Sequence, residues 1–466
     1  MNNSILKLPL SNLRHIAVLF LLGVLIHPAK AQDLLKLEDV ITLTMENNFD
    51  IKIAKNNEQV AKNNNNIGLI GGGQSTGSTP SGGSTGMLPQ ISINAGSPQS
   101  PLGIGQTIST LNYSNPASNI NSQKLTSTSF APSIVGTWYF FDGLKMFATK
   151  KKLNRTEELS NLQYRLTVET TLLSVLTAYY QMISIEKFVK SLKAALVLGN
   201  DQKILAEQKL QSGVGSNVDV LQTQIDYNNI RVQIIQQQNL LNEQRINLNN
   251  LLKRSPDTEF IVPDTIAIES KPEYQNALEN TEKNNSSVLI SKKAIEIDEL
   301  GLKEYKANRM PKIGITGNYS FQRTTADVGF QRLNQNYGYN AGFIFSWTLL
   351  NNLTTNTAIK NQVVQLSSDN YRLEAAKLQS KSNLYKAFLD FQNNLNVLEI
   401  ENKSVQLAKQ NLTIAAQRFK LGLSNYIEYR TVEQSYEDAE YRMSQAAFNT
   451  KISELNYLKE QGLLIH

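Results

Sequence analysis

The sequence predicts a duplicated, mainly α-helical chain in which each copy also carries a pair of membrane-type β-strands. Three observations predict it. The two tryptophans, Trp138 and Trp347, align in "GTWYFFDGLKM" and "FSWTLLNNLTT" at a shift of 209 residues. The same shift lays "EQKLQSGVGSNVDVL" on "AQRFKLGLSNYIEYR", with Gln208 over Gln417 and Gly213 over Gly422, so the chain repeats one unit. Second, proline is missing between Pro132 and Pro256 and after Pro311, and glycine between Gly342 and Gly422. That leaves stretches rich in Leu, Lys, Gln, Glu and Ala without a helix breaker. Third, "YGYNAGFIFSWTL" alternates at period two, setting Tyr337, Tyr339, Phe343, Phe345, Trp347 and Leu349 against Gly338, Asn340, Gly342, Ser346 and Thr348.

Taken in order, residues 1–31 read as a secretory signal: Lys7 and Arg14, an apolar run Ile16–Ile26, then small residues at Ala29 and Ala31 before a cut at Gln32. The run is too short to span a bilayer. The first repeat, 32–256, begins with a helix in "LEDVITLTMENNFDIKIAKNNEQVAKNN". Strands follow at about 88–98 and 126–141, then a long helix at about 143–212, a tip at Gly213 and a shorter helix at about 216–254. Residues 257–272 connect the copies. The second repeat, 273–466, has its first helix in "YQNALENTEKNNSSVLISKKAIEIDELGLKEYKA", strands at about 311–322 and 337–350, a long helix at about 352–421, a tip at Gly422 and a helix at about 425–461. Each opening segment predicts one continuous helix. Pro89 and Pro311 stand 222 apart, so the strand spacing differs between the copies. "GGGQSTGSTPSGGSTG", Gly71 to Gly86, has no second-copy counterpart and reads as a flexible linker.

Seventy residues of helix measure roughly 105 Å, more than an ordinary domain is wide. On the first long helix Leu166, Leu173, Leu176, Tyr180 and Ile183 form one apolar stripe, and Val168, Leu172, Val175, Tyr179 and Met182 a second. Two stripes suit a helix with a neighbour on each side. "KIGITGNYSF" alternates as the last strand does, and such strands meet the length and facing of a membrane barrel. Four strands cannot close a barrel, and open edges are not tolerated in lipid. A membrane role therefore requires oligomerisation.

Composition removes most chemistry. There is no cysteine, and of three histidines His15 and His27 leave with the signal, so only His466 remains. No disulfide, thiolate nucleophile, His-based triad or zinc site can be assembled, and neither an enzyme nor a cofactor is expected. The net charge of +6 falls to about +3 without Lys7, Arg14 and Lys30, too little to argue for nucleic acid.

The order helix, strand, strand, long helix, short helix, with "WYFFDG" at Trp138–Gly143, the tip glycines Gly213 and Gly422 and "LNNLLKRSPDTEF", resembles the TolC family of outer membrane efflux proteins from about Leu37 to Leu464. The resemblance implies a homotrimer in the outer membrane of a Gram-negative bacterium. Each protomer would give four strands to a twelve-stranded barrel, with an α-helical barrel extending into the periplasm. It implies a passive exit duct for a tripartite efflux or type I secretion system, docked to a periplasmic adaptor and an inner-membrane pump of RND or ABC type. Lys209, Gly213, Arg418 and Gly422 then fall at the adaptor-docking tips, although two cations near helix C-termini are also favoured by the dipole. Glu428, Thr431, Asp219 and Ser424 fall at the periplasmic gate. Three copies of Glu428 would make an anionic ring able to hold a divalent cation. Thr431 stands where relatives often carry a second acid, and Asp219 and Glu428 are also ordinary helix N-terminal acids. Trp138, Phe140 and Trp347 would anchor the strands at the membrane interface. A secreted coiled-coil scaffold whose strands pair in water is the alternative.

Overall fold

The computed structural model describes residues 34–70, 87–95, 105–111, 123–326 and 332–465; the signal segment, the Gly71–Gly86 stretch and His466 lie outside them. In chain order the first copy holds α1 (Leu37–Asn47), α2 (Phe49–Ile70), β1 (Gln90–Ala95), β2 (Gly105–Leu111), β3 (Gln123–Phe130), β4 (Pro132–Phe141), α3 (Lys145–Gln211) and α4 (Asn217–Leu251). The second holds α5 (Tyr274–Asn284), α6 (Ser286–Ala307), β5 (Lys312–Ala326), β6 (Leu333–Ser346), α7 (Thr354–Lys420) and α8 (Tyr426–Glu460).

The helices have the same lengths in both copies: 11, 22, 67 and 35 residues. Leu37 maps to Tyr274 and Ile70 to Ala307 at a shift of 237, whereas Lys145 maps to Thr354 and Leu251 to Glu460 at 209. The shift passes through 222 at Pro89 and Pro311. All length differences between the copies therefore lie in two places, one before the first strand and one between the two strands.

Each opening helix is broken, contrary to the expectation of one continuous run. The breaks fall at Asn48 and Asn285, again 237 apart. The Asn48 Oδ1 accepts from the N–H groups of Asp50 and Ile51 at 2.9 and 3.3 Å. The Asn285 Oδ1 accepts from Ser287 and Val288 at 3.1 and 3.3 Å. An asparagine that satisfies the first free N–H groups starts a new helix.

The strands form one antiparallel sheet in which six segments fill four lateral positions. β1 pairs with β4 and β2 with β3; β3 and β4 both pair with β5, and β5 pairs with β6. β3 and β4 are one strand interrupted at Ala131, beside Pro132, which brings no N–H to the ladder. The extents differ from those expected. β2 extends the first position to Leu111, β5 reaches Ala326, and β6 starts at Leu333 and ends at Ser346, just before Trp347.

Strand passes to helix through the same backbone in both copies. Gly143 and Leu144 have φ of +74° and +67°, and Asn352 and Leu353, 209 residues on, have +52° and +62°. The buried Asp142 carboxylate accepts from the Met146 N–H at 3.0 and 3.2 Å, capping α3.

Two compact units divide the chain. One gathers Val175–Ala267, Ile400–Phe448 and the chain up to Asn47; the other holds Asn48–Ser174, Ile268–Glu399 and the chain from Asn449. In the first, Val175, Leu176, Tyr179, Tyr180, Met182 and Ile183 are all buried, so both stripes of α3 are covered there. Leu192 and Ala195 pack with Ile230 and Ile234, and Leu412, Ala415 and Phe419 with Tyr426 and Tyr429. In the second unit Ile51 packs with Val168 and Leu172, and Ala277 with Leu384, Phe391 and Tyr457.

Candidate functional site at the helix tips and the strand ends

Both tips close with the same turn. The Val214 N–H donates to the Lys209 carbonyl at 3.0 Å and the Gly213 N–H to Leu210 at 3.1 Å. In the second copy Leu423 donates to Arg418 at 2.9 Å and Gly422 to Phe419 at 3.1 Å. These paired bonds around a left-handed glycine end a helix and satisfy its last carbonyls. Ser216 and Asn425, 209 apart, cap the returning helices through Val218 and Glu428 N–H groups.

The structure gives Lys209, Arg418, Glu428 and Thr431 specific partners. The Lys209 ammonium donates to the Phe419 carbonyl at 3.1 Å and lies 4.1 Å from the centre of the Phe419 ring, tying the first tip to the second. Arg418 and Glu428 are brought together at 3.4 Å, each about half exposed. Thr431 is exposed, and its hydroxyl donates to the Ile427 carbonyl at 2.9 Å. Asp219 is half-buried in the first turn of α4. The Ser424 Oγ is buried and has no hydrogen-bond partner among the described residues.

A buried cluster beside the second tip was missed in the sequence. Arg430 sits 2.9 Å from Glu433, 3.2 Å from Glu437 and 3.9 Å from Asp226. The Tyr426 hydroxyl donates to Asp226 at 3.0 Å, and the Tyr429 hydroxyl to Glu433 at 3.1 Å. Phe419 stacks on Tyr429 with centroids 5.6 Å apart. Burial pushes the Glu433 and Glu437 carboxyls up, with Arg430 opposing. It also pushes both tyrosines up, Asp226 adding to the rise at Tyr426 and Glu433 at Tyr429. Burial opposes the charge on Arg430, but the neighbouring Glu437 and Glu433 outweigh it and hold the guanidinium charged. The signal was present: Tyr426, Tyr429, Arg430, Glu433 and Glu437 share one helical face. Only the pairing with Asp226, 200 residues away, is absent from any local pattern.

At the strand ends both tryptophans perform one task. The Trp138 indole N–H donates to the Met87 carbonyl at 3.1 Å, and the Trp347 indole to the Arg309 carbonyl at 3.1 Å. Met87 and Arg309 each stand two residues before the proline that opens a first strand. Phe140 is the extra residue of a β-bulge against β5, and its ring lies 6.1 Å from that of Trp138.

The profile of the family described as outer membrane efflux protein matches residues 85–253. Among curated proteins none matches at the sequence level. Solved structures match nearly the whole chain. The outer membrane protein VceC of Vibrio cholerae has a TM-score of 0.70 at 14% identity, with 91% of this chain and 95% of that one covered. The CmeC outer membrane channel of Campylobacter jejuni has a TM-score of 0.70 at 12% identity, covering 92% and 85%. The open-state MtrE outer membrane channel of Neisseria gonorrhoeae has 0.60 at 13%, covering 91% and 89%. Residues 85–253 thus resemble the outer membrane efflux protein family, and the chain as a whole shares the fold of these outer membrane channels.

Proposed function

We propose that the protein is the subunit of an outer membrane channel-tunnel, a homotrimer that serves as passive exit duct for an efflux or type I secretion system. The observation that carries this reading is the open sheet. Among the described residues β6 pairs only with β5, and β1 and β2 pair only with β4 and β3, so both edges are unpaired. One face presents Tyr337, Tyr339, Phe343 and Phe345, each 66–88% exposed. A sheet with free edges and a bare aromatic face fits lipid only once closed. Three protomers supply twelve strands, enough for a barrel.

The helices support the trimer. On α7, Val364, Tyr371, Leu378 and Tyr385 are exposed at intervals of seven, and so are Ile400, Leu407 and Ile414. Such stripes are seams for another helix, and a neighbouring protomer is the partner this reading supplies. At the tips Val214, Leu421 and Leu423 are exposed. With Gly213 and Gly422 they form the surface offered to a periplasmic adaptor, behind which an inner-membrane pump of RND or ABC type provides the energy. Lys209 and Arg418 hold that surface in shape. Three Glu428 side chains form the gate ring, with Asp219, Ser424 and Thr431 beside it. Each glutamate's pairing with Arg418 leaves the ring partly neutralised.

Fractionation with cross-linking tests the reading: a detergent-extractable trimer in the outer membrane is expected. A periplasmic monomer would support the scaffold alternative instead. For the gate, single-channel recording of Glu428→Gln is expected to lower cation preference, and an unchanged preference removes Glu428 from the gate.

A further inference from the structure

The two copies pair their strands in one register. In the first, Gln90 faces Thr137 and Ile91 faces Gly136; in the second, Lys312 faces Ser346 and Ile313 faces Phe345. The second set is the first carried by 222 residues on one strand and 209 on the other. The copies themselves join where β4 meets β5. There Thr137 faces Thr316, Trp138 faces Ile315, Tyr139 faces Gly314, and Phe141 faces Ile313 with Phe140 left over at the bulge. Carried by the same shifts, from β4 to β6 and from β5 to β1, this junction sets Ser346 against Asn94, Trp347 against Ile93, Thr348 against Ser92 and Leu350 against Ile91. Leu349 takes the bulge. Along this part of the sheet β1 and β6 are the two edges, three interstrand steps or about 14 Å apart, so these pairs do not form within one chain.

The ends of the strands are a second observation. β4 runs four residues past its pairing with β1, to Phe141, because β5 holds it on the other side. β6 stops at Ser346, where its pairing with β5 stops. Past that point Leu349 and Leu350 are 72% and 89% exposed, and on β1 Ile91 and Ile93 are 72% and 75% exposed. What β6 lacks is a strand on its free side. The helices repeat the pattern. The Ser286 hydroxyl at the start of α6 donates to Glu169 of α3 at 3.0 Å, both residues being buried. Shifts of 237 on the opening helices and 209 on the long ones lead from this pair to Phe49 and Leu378. Both are large, apolar and exposed. Where the copies join through a buried hydrogen bond, the free faces thus offer two side chains that gain by covering each other.

We propose that successive protomers join by repeating the junction between the two copies: β6 pairs antiparallel with β1 of the next protomer, Trp347 facing the partner's Ile93, and Leu378 packs on the partner's Phe49. The inference rests on the trimer proposed above and adds its register. Its occupant is a second copy of this chain.

The chain has no cysteine, so paired cysteine substitutions read the register directly. Residues directly opposite in antiparallel strands have Cβ atoms about 4.5–5.5 Å apart, near disulfide reach, and diagonal ones about 7–8 Å. The test is oxidation of the full-length, detergent-solubilised protein with copper phenanthroline, followed by non-reducing electrophoresis and, in parallel, native mass measurement. Asn94→Cys with Ser346→Cys, and Phe49→Cys with Leu378→Cys, are each expected to give interchain disulfides at least tenfold above any of the four single variants. Ser92→Cys with Ser346→Cys, two residues out of register, is expected to link at least tenfold less than the Asn94 pair. Should the Asn94 pair fail to assemble, Ser92→Cys with Thr348→Cys reads the same register. Equal or better linking by the out-of-register pair overturns the proposal. So does the absence of either expected link in a protein that measures as a trimer, which leaves the duct reading standing; a monomer sinks both.

Discussion

At Gly143 the chain leaves β4 with φ of +74°, and a Cβ there would lie 2.6 Å from both the Ala307 carbonyl oxygen and the Met310 Cβ. Asn352 takes the same backbone in the second copy, where asparagine tolerates the left-handed region. Gly143→Asn is therefore expected to destabilise the protein by about 2 kcal/mol or more through overpacking, although the other copy carries asparagine at that place. Asn352→Gly is expected to be neutral or slightly stabilising. Thermal unfolding of the two variants checks the difference. The tryptophans make a second pair. Trp138→Phe and Trp347→Phe each keep the ring and lose one hydrogen bond, about 1 kcal/mol. Thermal dissociation of the assembled protein should fall by similar steps and additively in the double variant. The alignment of the tryptophans was visible in the sequence. Their shared bond to the residue two before Pro89 or Pro311 was not, because the two ends of that bond stand at different shifts.

The tip element shows how pH enters. Burial raises the Glu433 and Glu437 carboxyls above the ordinary value of 4.5, so the folded state keeps protons that the unfolded chain releases. Their contribution to stability is present in full below about 4.5 and is lost as pH rises through the raised values. The melting temperature is thus expected to rise on acidification from pH 7.5 towards 5, and Glu437→Gln to reduce that slope. A flat profile in the unmodified protein would show that these carboxyls do not couple to folding. Helix periodicity and glycine spacing made α3, α4, α7, α8 and both tips legible in advance. The breaks at Asn48 and Asn285 were not, since an asparagine inside a polar run signals a cap only when its side chain turns back onto the N–H groups ahead. β2 was equally hidden: "GQTISTL" is polar and short, and only pairing with β3 makes it a strand.

For the whole molecule, the exposed α7 stripes are the seams of the proposed trimer. Leu407→Lys is expected to abolish the trimer in cross-linking while circular dichroism stays helical, because Leu407 is 66% exposed within the protomer. The duplication then has a consequence for anything that meets the tips. In the proposed trimer, helices of equal length, 67 and 35 residues in each copy, would set six near-identical glycine turns in a ring. Yet Tyr426, Tyr429 and Arg430 stand where the first copy has Asn217, Val220 and Leu221, so the buried charge cluster occurs at alternate positions only. A partner that grips the backbone turns meets pseudo-sixfold symmetry and can engage six times. One that loosens the cluster meets threefold symmetry and needs to act at only three places.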